Sequence, residues 1–436
     1  MRILLSFLST AALFVGGHAL AAITDVEVSE PEASGNVTVS YSLDADAIVT
    51  CEMIVDGKPV PDTALVSLVG DVNRKVPFGK GKTICWFPAS GFPGNLIADG
   101  SLSAKITTWS PHSPPDYLVC DLTVTNGISY YPCEDALPYD ITNRIYKTTH
   151  FVMRRIHATG RVWRMGSPIQ GEVGDVYNGS DNSKTSTITH NVVLTNDYYI
   201  GVYPVTQKQY WNMTGGYLGD GWEESNFCGN DDANWSPVEN LSYEALRGTD
   251  CDWPQDGYAV SGTLLKLRAL TGLKLDLPTE AQWEYACRAG TGSGYNSGKE
   301  CTTKNTSGTA CPNLDELGWY GGNNQKYGNS NGTTYEVGLK KPNAWGLYDM
   351  HGNVFEMCLD WYSESDDYTD TFAAGWESGA PTVAPEGALS GVYRVARGGG
   401  YFYGPLHARS CYRRSIESAT ESKHNGFRLA CVIGNE

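Results

Sequence analysis

From His150 onward only two segments of the chain carry a convincing helical period, and that scarcity limits the fold more than any other feature. The first, "SGTLLKLRALTG", has Ser261 as N-cap, leucines on one face and Gly272 as C-cap. The second, "LPTEAQWEYACRAG", has Thr279 and Gln282 at capping-box spacing, then Trp283, Ala286 and Cys287 as a buried stripe. Around them run short strand-like stretches and long loops rich in Gly, Asn, Tyr and Trp, with no fixed-period repeat. Residues 150–433 therefore read as one α+β domain with little regular structure.

Residues 22–125 read differently. "GNVTVSYSLDADAIVTCEMIVDG" alternates apolar and polar side chains and is rich in Val, Ile and Thr. "VDGKPV" supplies an Asp-Gly turn, and "LSAKITTWS" and "DYLVCDLTV" are later strands. About a hundred residues with these signals fit an all-β immunoglobulin- or fibronectin-like sandwich. Nothing in it suggests chemistry, so it reads as an accessory or adhesion-type module. Residues 126–149 read as a connector.

The chain has 436 residues, 41% hydrophobic and 19% charged, which is room for two or three globular domains. Its formal net charge is -17, with no basic stripe, which sets nucleic-acid binding aside. At the N-terminus Arg2 precedes an apolar run from Ile3 to Gly17 and the small-residue site Ala19-Leu20-Ala21. This is expected to be a secretory signal over residues 1–21, placing the protein in a secreted, periplasmic or cell-surface location with no membrane span.

Export changes the meaning of twelve cysteines. No CxxC or zinc-ribbon spacing occurs, and an even count in an oxidising compartment favours disulfides. Cys51–Cys85, Cys120–Cys133 and Cys301–Cys311 are candidates on closeness alone.

Seven local patterns occur in order: "WRMGSP", "YYIGVYPVTQKQY", "SPVENLSYEALRG", "LPTEAQWEYACRAG", "NAWGLYDMHGNVFEMCLDWY", "RVARGGGYF" and "NGFRLAC". Together they resemble the formylglycine-generating enzyme, or sulfatase-modifying factor, family over roughly residues 150–433. The resemblance implies a C-type-lectin-like fold. It also implies copper chemistry on two nearby cysteines, because soft thiolates suit Cu(I). The positions matching that pair hold Tyr403 and Ala408, so no copper is expected.

The family's structural disulfide would join Cys287 to the segment holding Cys411. The strict match to the partner is Ser410, one residue earlier, and such an offset turns a strand side chain to the other face. Cys287 and Cys411 are both read as structural. The resemblance further implies a calcium loop in "YDMHGNVFE", with Asp349, the carbonyls of Gly352 and Val354, and the Glu356 carboxylate as ligands. The competing reading is a tight turn in which Glu356 pairs with Arg397 or Arg428.

Some relatives are iron enzymes with an added helical bundle and an HxxxH site. Here His112, His150, His157, His190, His351, His407 and His424 show no helical ligand spacing, so iron is not expected. Trp345, Phe355 and Trp361 fall in packing motifs and read as core. Tyr401, Phe402, Tyr403, His407 and Tyr412 lie around the loop that forms the family's cleft, and are candidates to stack on a ligand. The expectation is a binding or scaffold protein with an unidentified protein or carbohydrate partner. The alternatives are a formylglycine-forming oxidoreductase, another reaction at the same cleft, or an adhesin acting through the sandwich.

Overall fold

Val37, Val39, Tyr41 and Leu43 alternate along the Val37–Leu43 strand and are buried together, because successive side chains point to opposite faces of a pleat. In the computed structural model, which describes residues 20–29, 35–61, 68–91, 101–166, 189–214, 235–249, 253–258, 261–301, 310–324, 332–362 and 380–433, the chain divides into two units. The first takes in Met1–Val119 and Ile128–Asn143, the second Cys120–Gly127 and Arg144–Glu436. Most of the expected signal segment, Cys228 and Cys251 lie outside the described residues.

In the first unit, the Val37–Leu43 strand lies between Ile23–Val28 and Gly79–Trp86, and Leu68–Gly70 pairs beyond. A second sheet centres on Ala47–Val55, paired with Lys58–Pro59, Arg74–Val76 and Leu102–Trp109. Both sheets send side chains into one core, including Val39, Tyr41, Val49, Met53, Ile84 and Trp86. The Asp-Gly turn is formed as expected: Asp56 and Gly57 have φ of 51° and 73°, the left-handed pair a two-residue hairpin needs. The stretch read as a connector contains a strand, Gly127–Tyr131, and a 3₁₀ turn, Arg144–Lys147.

Both expected helices of the second unit form. Gly262–Thr271 buries Leu264 and Leu267, leaves Leu265 exposed, and ends at left-handed Gly272. Ser261 stands at the N-cap but makes no side-chain capping bond. Glu280–Arg288 has both capping-box bonds between Thr279 and Gln282. Of its nine residues only Gln282 is not buried, so its charged residues must find partners inside the protein. Trp283, Ala286 and Cys287 join Tyr198, Ile200, Met350, Cys358 and Val395 in the core.

Three sets of short strands surround that core. Tyr198–Gly201 lies between His150–Ile156 and Ala430–Val432. His190–Val193 pairs antiparallel with Val162–Met165 and parallel with Thr382–Val383. The third set carries the candidate aromatic residues. Among the described residues no helix is long and apolar enough to cross a membrane.

Candidate functional site: an aromatic cluster beside a buried ionic lattice

Four strands run in the order Arg414–Glu417, Tyr393–Arg397, Phe355–Tyr362 and Asn425–Gly426. Phe355 stands opposite Asn425, and Ala396 opposite Arg414. This brings Phe355, Arg414 and His424 to one end of the sheet, although they are far apart in the chain. The next strand supplies the loop. After Arg397 come three glycines, and Gly399 has φ 77°. A Cβ there would lie 2.7 Å from the Ala408 Cα, so only glycine lets Tyr401–Ala408 fold back this tightly. Tyr401 N–H donates to Asn353 O at 2.9 Å, and Gly321 N–H donates to Tyr403 O at 2.7 Å, fixing the loop to its neighbours.

All five candidate aromatic residues come together there. Ring centroids are 5.9 Å apart for Phe402–Tyr403, 5.1 Å for Tyr403–His407 and 4.7 Å for His407–Tyr412. Two further residues complete the cluster. Phe355 sits 5.0 Å from Tyr403 and 6.2 Å from Tyr412. His424 lies 5.3 Å from Tyr401, 5.6 Å from Phe402 and 5.2 Å from Tyr403. Tyr401, Tyr412 and Phe355 are buried and form the floor, whereas Phe402 is 40% exposed and Tyr403, His407 and His424 are partly exposed.

Arg414 completes the site, its guanidinium carbon 4.7 Å from both the Phe355 and the Tyr403 ring centres. His424 is held neutral: burial first, then Arg414 and Lys423, push its pKa down to about 4. Sequence reasoning read Phe355 as core, which it also is, and gave Arg414 and His424 no role at the cleft. Their proximity depends on strand pairings that leave no local mark.

Beside the cluster lies a lattice of buried ion pairs. Arg413 holds Glu280 through two bonds of 2.5 and 2.8 Å. Arg397 bridges Glu280 and Glu284, and Glu284 also takes Arg288 at 2.6 Å. Burial would raise the Glu284 carboxyl, but Arg288 and Arg397 outweigh it and hold it low. Glu356 Oε1 accepts from Arg428 Nη2 at 2.7 Å. Its Oε2 accepts from Arg428 Nε at 2.9 Å and Trp283 Nε1 at 2.6 Å.

Comparison with known proteins decides the family. The sulfatase-modifying factor enzyme 1-like domain matches residues 165–433, more than half of the chain. The chain belongs to the sulfatase-modifying factor family. It is 30% identical over 230 residues to the chaperone protein LppX of Paenibacillus barcinonensis, covering 46% of this chain and 76% of that protein. It is 34% identical over 171 residues to the formylglycine-generating enzyme of Thermomonospora curvata, covering 35% of this chain and 48% of the enzyme. The chain thus spans about half the length of that enzyme. Among solved structures it is similar to Treponema denticola variable protein 1, with 23% identity, a TM-score of 0.44, and 65% of this chain and 95% of that chain covered. PvdO from Pseudomonas aeruginosa gives 22% identity and a TM-score of 0.46, with 64% and 94% covered.

The loop that the resemblance marks for calcium is a tight turn. Gly352 has φ 137°, and a Cβ there would meet Trp319 O at 2.2 Å. Asn353 exchanges two 3.0 Å bonds with the Tyr335 backbone. Asp349 Oδ2 accepts from Gly338 N–H at 2.6 Å, and burial raises its carboxyl to about 6. Val354 is fully buried. Glu356, whose carboxylate was the expected ligand, has both oxygens on N–H donors and its charge matched by Arg428. Glu356 is thus engaged by Arg428, whereas Asp349 Oδ1 is buried without a hydrogen-bond partner and is the carboxylate oxygen of this set left to face a cation. The competing reading, with Arg428 as partner, describes the geometry.

The cysteines also resolve. Among the described residues Cys301–Cys311 is the disulfide. The proposed Cys51–Cys85 bridge does not form: Cys51 pairs with Ile106 in one sheet and Cys85 with Val69 in the other. Cys120 is a buried thiol, while Cys133 is exposed. Cys287 and Cys411 are not joined to each other. Cys287 Sγ instead lies 3.5 Å from Ser410 Oγ, the position that strictly matches the family's partner cysteine. Burial pushes the Cys287 thiol up to about 12 and raises Cys411.

Proposed function

We propose that this chain is an exported, non-catalytic member of the sulfatase-modifying factor family that holds a ligand in its aromatic cleft. The observation that carries this reading is the cluster of Tyr401, Phe402, Tyr403, His407 and Tyr412 where a copper oxidase would carry its thiolate pair. Tyr403 and Ala408 offer no soft ligand. The nearby thiols Cys411 and Cys358 are closed in the core, where a protonated sulfur is neither nucleophile nor good metal ligand. A relative named as a chaperone supports a member that acts by binding, and relatives named as formylglycine-generating enzymes keep the oxidase as the second reading. We read the first unit as an immunoglobulin- or fibronectin-like sandwich, supported by its two sheets around one core, and the second as C-type-lectin-like.

Two experiments test this reading. The purified protein should take up no Cu(I) in the cleft and leave a sulfatase-type cysteine peptide unoxidised under oxygen. Copper-dependent conversion of the peptide would make the chain an oxidase. Terminal sequencing of protein recovered outside the cytoplasm should start near Ala22, and soluble protein that retains Met1 would remove the export argument.

A further inference from the structure

Arg414 stands out at the cleft. The chain carries formal charge -17, and its buried arginines Arg247, Arg397, Arg413 and Arg428 each hold a carboxylate. Arg414 holds none among the described residues. It lies on the faces of Phe355 and Tyr403, and its Nη1 is closed off from water without a hydrogen-bond partner. A guanidinium donor left unmatched costs free energy that an arriving anion would recover, because its planar fork fits a carboxylate with two parallel bonds. The charges acting on His424 beside it are the cations Arg414 and Lys423. Glu239 acts on Tyr401, in the floor.

The aromatic faces are interleaved with other unmatched polar atoms. Tyr401 Oη and His424 Nδ1 are closed in without hydrogen-bond partners. A purely aromatic or aliphatic ligand would cover the ring faces and leave these atoms unsatisfied. A ligand with apolar ring faces and hydroxyls around its edge would serve both.

Resting on the ligand-binding reading above, we propose that the cleft takes an acidic saccharide, its sugar ring on Tyr403 and Phe402, its carboxylate on Arg414 and a hydroxyl on His424. Arg414 is then the group that makes the site select an anion over its neutral counterpart. Arg414, Tyr403 and His424 are partly exposed as residues, and the closed-in Arg414 Nη1 and His424 Nδ1 would have to turn outward to meet the ligand.

The test uses the full chain with polygalacturonate and its methyl-esterified form, which share the ring and differ in charge, measured by calorimetry at low and high salt. The expected result is binding of the acid at least tenfold tighter than of the ester, weakened by salt. Arg414→Gln should bring the two polymers to equal, weak affinity, and Arg414→Lys should restore part of the preference. Tyr403→Ala should weaken both polymers together.

Equal binding of acid and ester by the wild type, still lost in Tyr403→Ala, would overturn the anion anchor and leave the aromatic cleft standing. Binding untouched by both Tyr403→Ala and Arg414→Gln, in variants that melt like the wild type, would overturn the cleft reading itself. Failure of the folded wild type to bind either polymer would overturn the saccharide assignment. So would competition by benzoate without competition by galacturonate, which would mark the site as one for aromatic acids.

Discussion

Glu356→Gln should lower the stability of the second unit by about 3 kcal/mol, equally in calcium and in chelator. Removing one partner of a buried ion pair typically costs about 3–5 kcal/mol, because the remaining charge stays out of water. Here that charge is Arg428, fully buried, with Glu356 also fully buried. Glutamine keeps the shape and can still accept from Trp283, which places the expected loss at the lower end. Carbonyls of Gly201, Val202 and Tyr348 continue to accept from Arg428, so the arginine keeps hydrogen bonds while losing its counter-charge. At roughly 2–4 °C per kcal/mol for a domain of this size, the melting temperature should fall by roughly 6–12 °C. A calcium ligand would behave otherwise. Loss of a site that binds only the native state lowers stability in calcium alone, since mass action stabilises only when the ion is present. A melting difference confined to calcium buffer would therefore restore the metal reading and remove the ion pair from the account.

The two possible roles of Glu356 show what the sequence carries and what it does not. Local rules were legible. The Thr279–Gln282 capping box and the Asp56-Gly57 hairpin each lie within a few residues and depend on local geometry, whereas closeness alone picked out the Cys301–Cys311 bridge, ten positions apart, among three candidates. The partner of Glu356 was narrowed to Arg397 or Arg428 but not chosen. The choice rests on the parallel pairing of Phe355–Tyr362 with Asn425–Gly426, a contact between segments dozens of residues apart. Arg397 is instead absorbed by Glu280 and Glu284 from the helix behind it.

The cleft follows the same division. Its contiguous part, Tyr401 to Tyr412, could be read because one loop carries it. Arg414 and His424 could not, because strand order alone places them beside Phe355. The failed Cys51–Cys85 pairing has the same cause: closeness in sequence does not say which sheet each strand joins.

Ser410→Cys should close a disulfide with Cys287 and stabilise the second unit by about 2–4 kcal/mol under oxidising conditions. In the wild type Cys287 Sγ and Ser410 Oγ already face each other at 3.5 Å, both fully buried, so the substitution asks for a small inward movement only. The gain comes from restricting the unfolded chain, and the enclosed loop is long: the two residues are 123 positions apart. Ser410 donates its N–H to Gly294 O at 2.8 Å, a bond the cysteine keeps. The serine hydroxyl's own 3.2 Å bond to Gly294 O would be lost, offsetting about 1 kcal/mol. Cys411, one residue on, is not joined to Cys287 and sits among the charges of Glu284, Arg288, Arg409 and Arg397. Mass mapping of the unreduced variant should find Cys287 linked to residue 410 and Cys411 as a thiol, and reduction should erase the added stability. In the wild type, Cys287 and Cys411 should both be recovered as thiols when the protein is unfolded in the presence of an alkylating agent. A Cys287–Cys411 bridge in the wild type would mean that the strand carries these residues one position out of the register described here, and the whole loop from Gly398 to Arg414 would have to be redrawn with it.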